Sequence, residues 1–135
     1  MHVLDTNTIS YFMRGDPQVV PRLRDLPPDE IGVPAIVVYE LRYGLARLPA
    51  EAAAPRLSAL ETLLAPMSVL DFDAACAEHA ARIRAHLESQ GQPIGPHDVL
   101  IAGTALRHDA VLITRNLREF SRVPDLHLVN WHNQL

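Results

Sequence analysis

The chain carries 135 residues, nearly half of them hydrophobic, and a formal charge of −4. A composition this apolar excludes a disordered polymer, the length fits one domain over residues 1–135, and no apolar run approaches the ~20 residues that cross a bilayer. The acidic balance argues against an indiscriminate nucleic-acid-binding surface, and the absence of Lys excludes a phosphate-binding P-loop and a phosphoacceptor receiver domain, both of which use one.

His2–Leu4 reads as a strand, ended by Asp5. Thr6–Met13 reads as a helix, closed by the turn signal Arg14-Gly15-Asp16-Pro17. A short helix over 18–26 stops before Pro27-Pro28, and a brief strand over 31–33 is halted by Pro34. Residues 35–48 form a helix that is apolar around most of its circumference and is expected to be buried. Pro49 breaks that pattern, and a further helix runs over 52–64 with Pro55 in its first turn. A strand over 67–70 precedes a long helix that Asp73 caps and Gly91 ends. Pro96 opens a helix to about residue 108, a strand follows over 111–114, then a helical turn over 116–120 and a last strand at His127–Val129. Strands alternating with helices predict an α/β fold with a parallel sheet, and the unbroken apolar run Val111-Leu112-Ile113 fits burial on both sheet faces.

Four polar residues sit at the joints of this scheme: Asp5, Glu40, Asp98 and Asn116. In open α/β sheets, sites form outside the carboxyl ends of strands, where Asp5 and Asn116 fall; Glu40 and Asp98 must arrive on helices. Clustered carboxylates are costly without a cation, so a divalent metal site is expected. Each residue also has a local explanation. Asp5 can cap the helix that starts at Thr6, and a cap leaves room for a metal on its other oxygen. Glu40 can pair with Arg14, Arg42 or Arg47, although Arg42, two residues on, faces elsewhere on the helix. Asp98, in a first helical turn, is favoured by the helix dipole. Asn116 fits a capping box with Glu119, which can alternatively point into the cluster. His97 is a further ligand or base candidate, while His79 and His86 show no metal-ligand spacing. All 12 basic residues are Arg, whose fork matches phosphate oxygens; a GC-rich gene gives the same bias. The single cysteine, Cys76, allows no intramolecular disulfide and reads as a buried structural thiol.

These pieces resemble the PIN-domain nucleases, and within them the VapC toxins of bacterial toxin–antitoxin pairs. The resemblance rests on Leu4-Asp5-Thr6-Asn7, on Val38-Tyr39-Glu40-Leu41-Arg42-Tyr43-Gly44, on the run from Ile94 through Asp98 to Ala102, and on Leu112-Ile113-Thr114-Arg115-Asn116-Leu117-Arg118-Glu119-Phe120. Val123-Pro124 and Val129-Asn130-Trp131 match the usual tail. Four motifs in family order span nearly the whole chain. The resemblance implies a three-layer PIN-like fold, with four to five parallel strands between helices, and a metal-dependent endoribonuclease.

Asp5, Glu40 and Asp98 match the family's acids and are the implied metal ligands, for Mg²⁺ or Mn²⁺. The fourth position, often Asp, is Asn116, whose neutral oxygen suits one firmly held ion and a second recruited with substrate. Thr6 and Thr114 match positions whose hydroxyls support the site, with Glu119 beside them, and His97 falls at a variable position. The implied products are a 5′-phosphate and a 3′-hydroxyl. Arg115, adjoining Asn116, leads the candidates for RNA phosphate contact, ahead of Arg14, Arg42 and Arg118. A VapB-type antitoxin partner is implied, with helices 35–48 and 52–64 as its receiving groove, as are a homodimer or toxin–antitoxin hetero-oligomer, tRNA as the RNA substrate, and a cytoplasmic location. A solitary PIN nuclease in RNA processing, or a catalytically weak binding module, would carry the same motifs.

Overall fold

The computed structural model describes residues 1–132, so the last three residues of the expected domain, 133–135, lie outside the described region. Five short strands form one parallel sheet: β1 (His2–Leu4), β2 (Ile31–Pro34), β3 (Ser68–Leu70), β4 (Val111–Ile113) and β5 (His127–Val129), in the order β3-β2-β1-β4-β5. Around them lie α1 (Thr6–Met13), α2 (Val19–Arg24), α3 (Ala35–Ala46), α4 (Ala50–Leu64), α5 (Ala74–Ser89), α6 (Pro96–Arg107) and the single turn α7 (Leu117–Phe120). The fold class is the expected one, and the core centres on the sheet, where Val3, Leu4, Ile31, Val33, Leu112 and Ile113 are essentially without solvent contact and helix residues such as Ile9, Val37 and Ile101 pack with them. Fully burying each such side chain stabilises the fold by about 1.5–3 kcal/mol before entropy is charged against it.

The sheet order decides where a site can form. The chain begins in the middle of the sheet, works outward through β2 and β3, then crosses back to add β4 and β5 on the other side of β1. The direction of winding therefore reverses between β1 and β4, and in an open parallel sheet the loops part at such a point to leave a crevice. Leu4 and Ile113 are paired in register, so Asp5 and Thr114, the next residue on each strand, emerge side by side into it.

Local chemistry sets the helix ends. Asp5 is the N-cap of α1 and Asp73 that of α5. Helix α1 ends in a double reverse bond, Gly15 N–H to Phe12 and Asp16 N–H to Tyr11, and Gly15 takes the positive φ that this closure requires. Helix α6 ends the same way on Asp109, at φ 49°.

Two expectations are corrected. Helix α4 starts at Ala50, capped by Pro49, because the Pro49 carbonyl already accepts the amides of Ala52 and Ala53. Pro55 therefore sits in the second turn, where it cannot donate to the Glu51 carbonyl. Helix α3 is not buried: Val37 alone is fully enclosed, while Tyr39, Arg42, Tyr43 and Gly44 face solvent. Its apolar residues Ile36, Val38, Leu41 and Leu45 are only partly buried against the core.

Candidate active site

Asp5 is 96% enclosed, with a relative exposure of 4%. Its Oδ1 accepts the Thr8 amide at 2.9 Å and its Oδ2 accepts the Thr114 hydroxyl at 2.6 Å. Burial pushes its pKa up, against the pull of those hydrogen bonds and with a smaller push from Glu40. The cap role and the crevice position coincide in this one carboxylate, since a carboxylate offers more lone pairs than two partners use.

Glu40 reaches the crevice from α3. The Thr6 hydroxyl donates to Oε1 at 2.7 Å, and His97 Nδ1 lies 3.2 Å from Oε2. None of the arginines considered for it is its partner; Arg42 instead turns to Glu61 at 3.4 Å on the protein surface. Asp98 arrives on the first turn of α6, part-buried beneath the strand ends. Its pKa is pushed up to about 7, first by burial, then by a hydrogen bond with the Glu119 side chain, then by the charges of Glu119, Asp5 and Glu40. Burial and the neighbouring carboxylates together disfavour the charged form of Asp98.

Asn116 caps α7. Its Oδ1 accepts the Glu119 amide at 3.4 Å, and its Nδ2 donates to Glu119 Oε2 at 3.2 Å. Its own amide donates to the Thr114 hydroxyl at 3.0 Å. The box is thus only half closed, and Glu119 turns toward Asp98. The carboxylates that sense one another are Asp5, Glu40, Asp98 and Glu119, while position 116 contributes a neutral amide. Among the described residues, no three His, Cys, Asp or Glu side chains are already gathered around one ion-sized point.

Two neighbours of Asp98 carry geometry that the sequence does not disclose. His97 links Glu40 to the edge of the Tyr39 ring, with centroids 5.6 Å apart. Gly95 faces the Asp98 carboxylate so closely that a Cβ there would stand 3.3 Å from Oδ2. The only signal for either was adjacency to Asp98. Of the arginines, Arg14 and Arg115 converge on Tyr11, with guanidinium carbons 5.3 and 5.6 Å from its ring centre. Arg118 lies exposed on α7.

Comparison with known proteins finds relatives over nearly the whole chain. Residues 2–126 fit the family model described as the PIN domain. Over 129 residues the chain is 34% identical to the tRNA(fMet)-specific endonuclease VapC of Salmonella typhimurium, covering 96% of each chain. It is 33% identical over 133 residues to Ribonuclease VapC2 of Rickettsia felis, covering 97% of this chain and 98% of the other. The crystal structure of VapBC2 from Rickettsia felis, bound to a promoter DNA fragment, superposes with a TM-score of 0.89 at 32% identity, over 97% and 98% of the two chains. FitAcB from Neisseria gonorrhoeae gives the same TM-score at 33% identity, over 98% and 100%. Family match, fold, sequence identity and near-complete coverage agree, and the chain belongs to the PIN-domain family, among its VapC ribonucleases.

Proposed function

We propose that this ribonuclease is the toxin of a toxin–antitoxin pair and hydrolyses phosphodiester bonds of structured RNA, tRNA foremost, at the crevice between β1 and β4. The observation that carries the reading is the acidic crevice at the ends of β1 and β4: Asp5 is buried there on the Thr114 hydroxyl, Glu40 is held by the Thr6 hydroxyl, and Asp98 feels the charges of both and of Glu119. The relative from Salmonella is named for action on tRNA(fMet), which supports the substrate class. With tRNA as substrate, the enzyme works in the cytoplasm; among the described residues no helix is long and apolar enough to cross a membrane.

The donor set fits a hard divalent cation, Mg²⁺ with Mn²⁺ as substitute, because every candidate ligand is an oxygen. It fits for a second reason: Asp98 is crowded by Glu119, Asp5 and Glu40, a repulsion that a cation relieves. Asp5, Glu40 and Asp98 would hold the ion, with Glu119 beside Asp98. Bound there, it would acidify water for attack on phosphorus and offset charge on the phosphoryl oxygens. The protein's part is to fix the acids. Thr114 holds Asp5, Thr6 and His97 hold opposite oxygens of Glu40, and Asn116 holds Glu119. Arg14 and Arg115, gathered at Tyr11, hold flanking phosphates.

The antitoxin reading rests on a groove of about 670 Å³ between α1, α3 and α4. Met13, Leu41, Leu45, Leu48 and Leu60 line it, and Glu40 stands at its edge. An amphipathic segment docks its apolar face in such a groove and can bring a basic side chain to Glu40. Structural relatives from Rickettsia felis and Salmonella typhimurium are VapBC complexes, which supports a partner chain here. A homodimer is proposed with it; a single monomer mass by light scattering at all concentrations would remove the dimer.

The deciding experiment is cleavage of purified total tRNA by the isolated chain with Mg²⁺ or Mn²⁺, with EDTA, and with Asp98→Asn. Discrete products that require both metal and Asp98 are expected. Products that persist in EDTA or in the variant would refute the site.

A further inference from the structure

Only five large apolar side chains among the described residues are strongly exposed, and the two aromatic ones are neighbours: Tyr39 at 55% and Tyr43 at 56% on α3. Their rings stack, with centroids 6.5 Å and planes 22° apart. The Arg47 guanidinium sits 5.7 Å over Tyr43. At the other end, the His97 ring meets Tyr39 edge-on, and its Nδ1 faces the Glu40 carboxylate at 3.2 Å. Positions 39, 43 and 47 recur at the four-residue spacing that places them along one helix face, over about 12 Å. The result is a continuous strip, Arg47-Tyr43-Tyr39-His97, that runs from open surface to the acids.

We infer that this strip is a stacking platform for unpaired bases of the RNA strand entering the site, an inference that rests on the nuclease reading above. A strand with one phosphate at Glu40 and Asp98 must lay its next nucleotides on one of the surrounding surfaces. The acids themselves repel a polyanion, so those nucleotides need a surface that binds through the base. Aromatic faces do this for any base, and arginine adds cation–π attraction and phosphate contact. Three features favour RNA over a protein partner. The strip is contiguous with the site through His97, it ends in a cation, and its two tyrosines stand on the exposed surface rather than in a groove. The apolar groove for a peptide lies on the side of α3 that carries Leu41 and Leu45. A tyrosine pair four residues apart also stabilises a helix by a few tenths of a kcal/mol, and nothing in that effect requires contact with RNA.

The test uses Tyr39→Leu and Tyr43→Leu, which keep apolar bulk and helix propensity but remove the π-face, and Tyr→Phe at each position, which keeps it. The first measurement is steady-state cleavage of tRNA with Mg²⁺. Each Leu variant should raise KM about tenfold, within the range of base–aromatic stacking, and leave kcat within about twofold, while Phe restores KM. The second uses the full chain carrying Asp98→Asn and an unstructured ten-nucleotide RNA with 2-aminopurine moved through the sequence. Fluorescence should be quenched at one or two adjacent positions, and Tyr39→Leu or Tyr43→Leu should abolish the quench. Unchanged KM and an unchanged quench would overturn the platform and leave the metal site intact. A changed mass in light scattering with unchanged KM would also overturn it, assigning the strip to a protein contact. A tyrosine-dependent quench from a chain that cleaves no RNA would uphold the platform and sink the nuclease reading instead.

Discussion

Asp98→Asn tests the acidic site through stability alone, without any substrate. In the metal-free protein the Asp98 carboxyl titrates near 7, against an ordinary 3.8. Between those values the folded state keeps a proton that the unfolded chain releases, so stability falls as pH rises through this window. The displacement is about three pH units, worth about 4 kcal/mol at 1.36 kcal/mol per unit if no water reached the group. Asp98 keeps solvent contact, and screening reduces the expected loss to about 1–2 kcal/mol between pH 5 and 8. Opposing it is the favourable dipole at the start of α6, about 0.3–1 kcal/mol for an exposed acid, which is the smaller term here. Urea denaturation in EDTA at pH 5, 6.5 and 8 measures the balance. Wild type should lose stability across the series, and Asp98→Asn should lose less and equal or exceed wild type at pH 8. Adding Mg²⁺ at pH 8 should stabilise wild type and leave the variant unmoved. A variant that unfolds well below wild type in EDTA at pH 8 would make Asp98 a structural residue of α6 and refute the reasoning.

Thr114→Val removes the hydroxyl that serves both Asp5 and the Asn116 amide; it should cost about 1–2 kcal/mol in EDTA and weaken Mn²⁺ binding about tenfold by calorimetry. Arg115→Ala should weaken binding of a non-cleaved RNA, measured by anisotropy, and lower the slope of log affinity against log salt by about 0.7–1. Gly103→Ala should cost about 1–3 kcal/mol by thermal unfolding, because its Cβ would stand 2.9 Å from the Ala80 amide and 3.0 Å from the Cys76 carbonyl, backbone atoms that cannot step aside. Asn116→Asp should destabilise the metal-free protein at pH 8 and tighten Mn²⁺ binding, since it replaces a donor to Glu119 with a further negative charge; calorimetry that shows no tighter binding would exclude residue 116 from the ion's surroundings.

Part of the fold is legible because the first two strands stop on residues that do not continue them. Asp5 ends β1, and Pro34 ends β2 while starting α3 without needing an amide hydrogen. Strand order is not legible: three-residue apolar strands contain no pairing code, and the central place of β1 follows from packing the helices between them. The exposure of α3 was missed because Ile36, Val37 and Val38 next to Tyr39, Leu41 and Tyr43 look like a buried helix by composition. Tyrosine carries a hydroxyl that tolerates water, and here both rings stay in it. His97 was passed over because a histidine in a turn has no spacing signal, and its contact with Glu40 spans 57 positions in sequence.

The division of labour between residues 116 and 119 shows how a local rule can conceal a site. Asn followed three residues later by Glu satisfies a capping pattern, so the pair looks complete within one turn of helix. In the fold the Asn116 amide is taken by Thr114, so the Glu119 carboxylate is not needed at the cap and is left to the Asn116 side chain and Asp98. Thr114 is in turn bonded to Asp5. One hydroxyl therefore connects the ends of β1 and β4 to the cap of α7, and through that cap to a fourth acid. An aspartate at 116 would have filled the expected position at the cost of the donor that steadies Glu119. A neutral amide at the cap, with Glu119 one turn on, leaves Asp98 among the charges of Glu119, Asp5 and Glu40 and adds no fifth carboxylate beside Glu119.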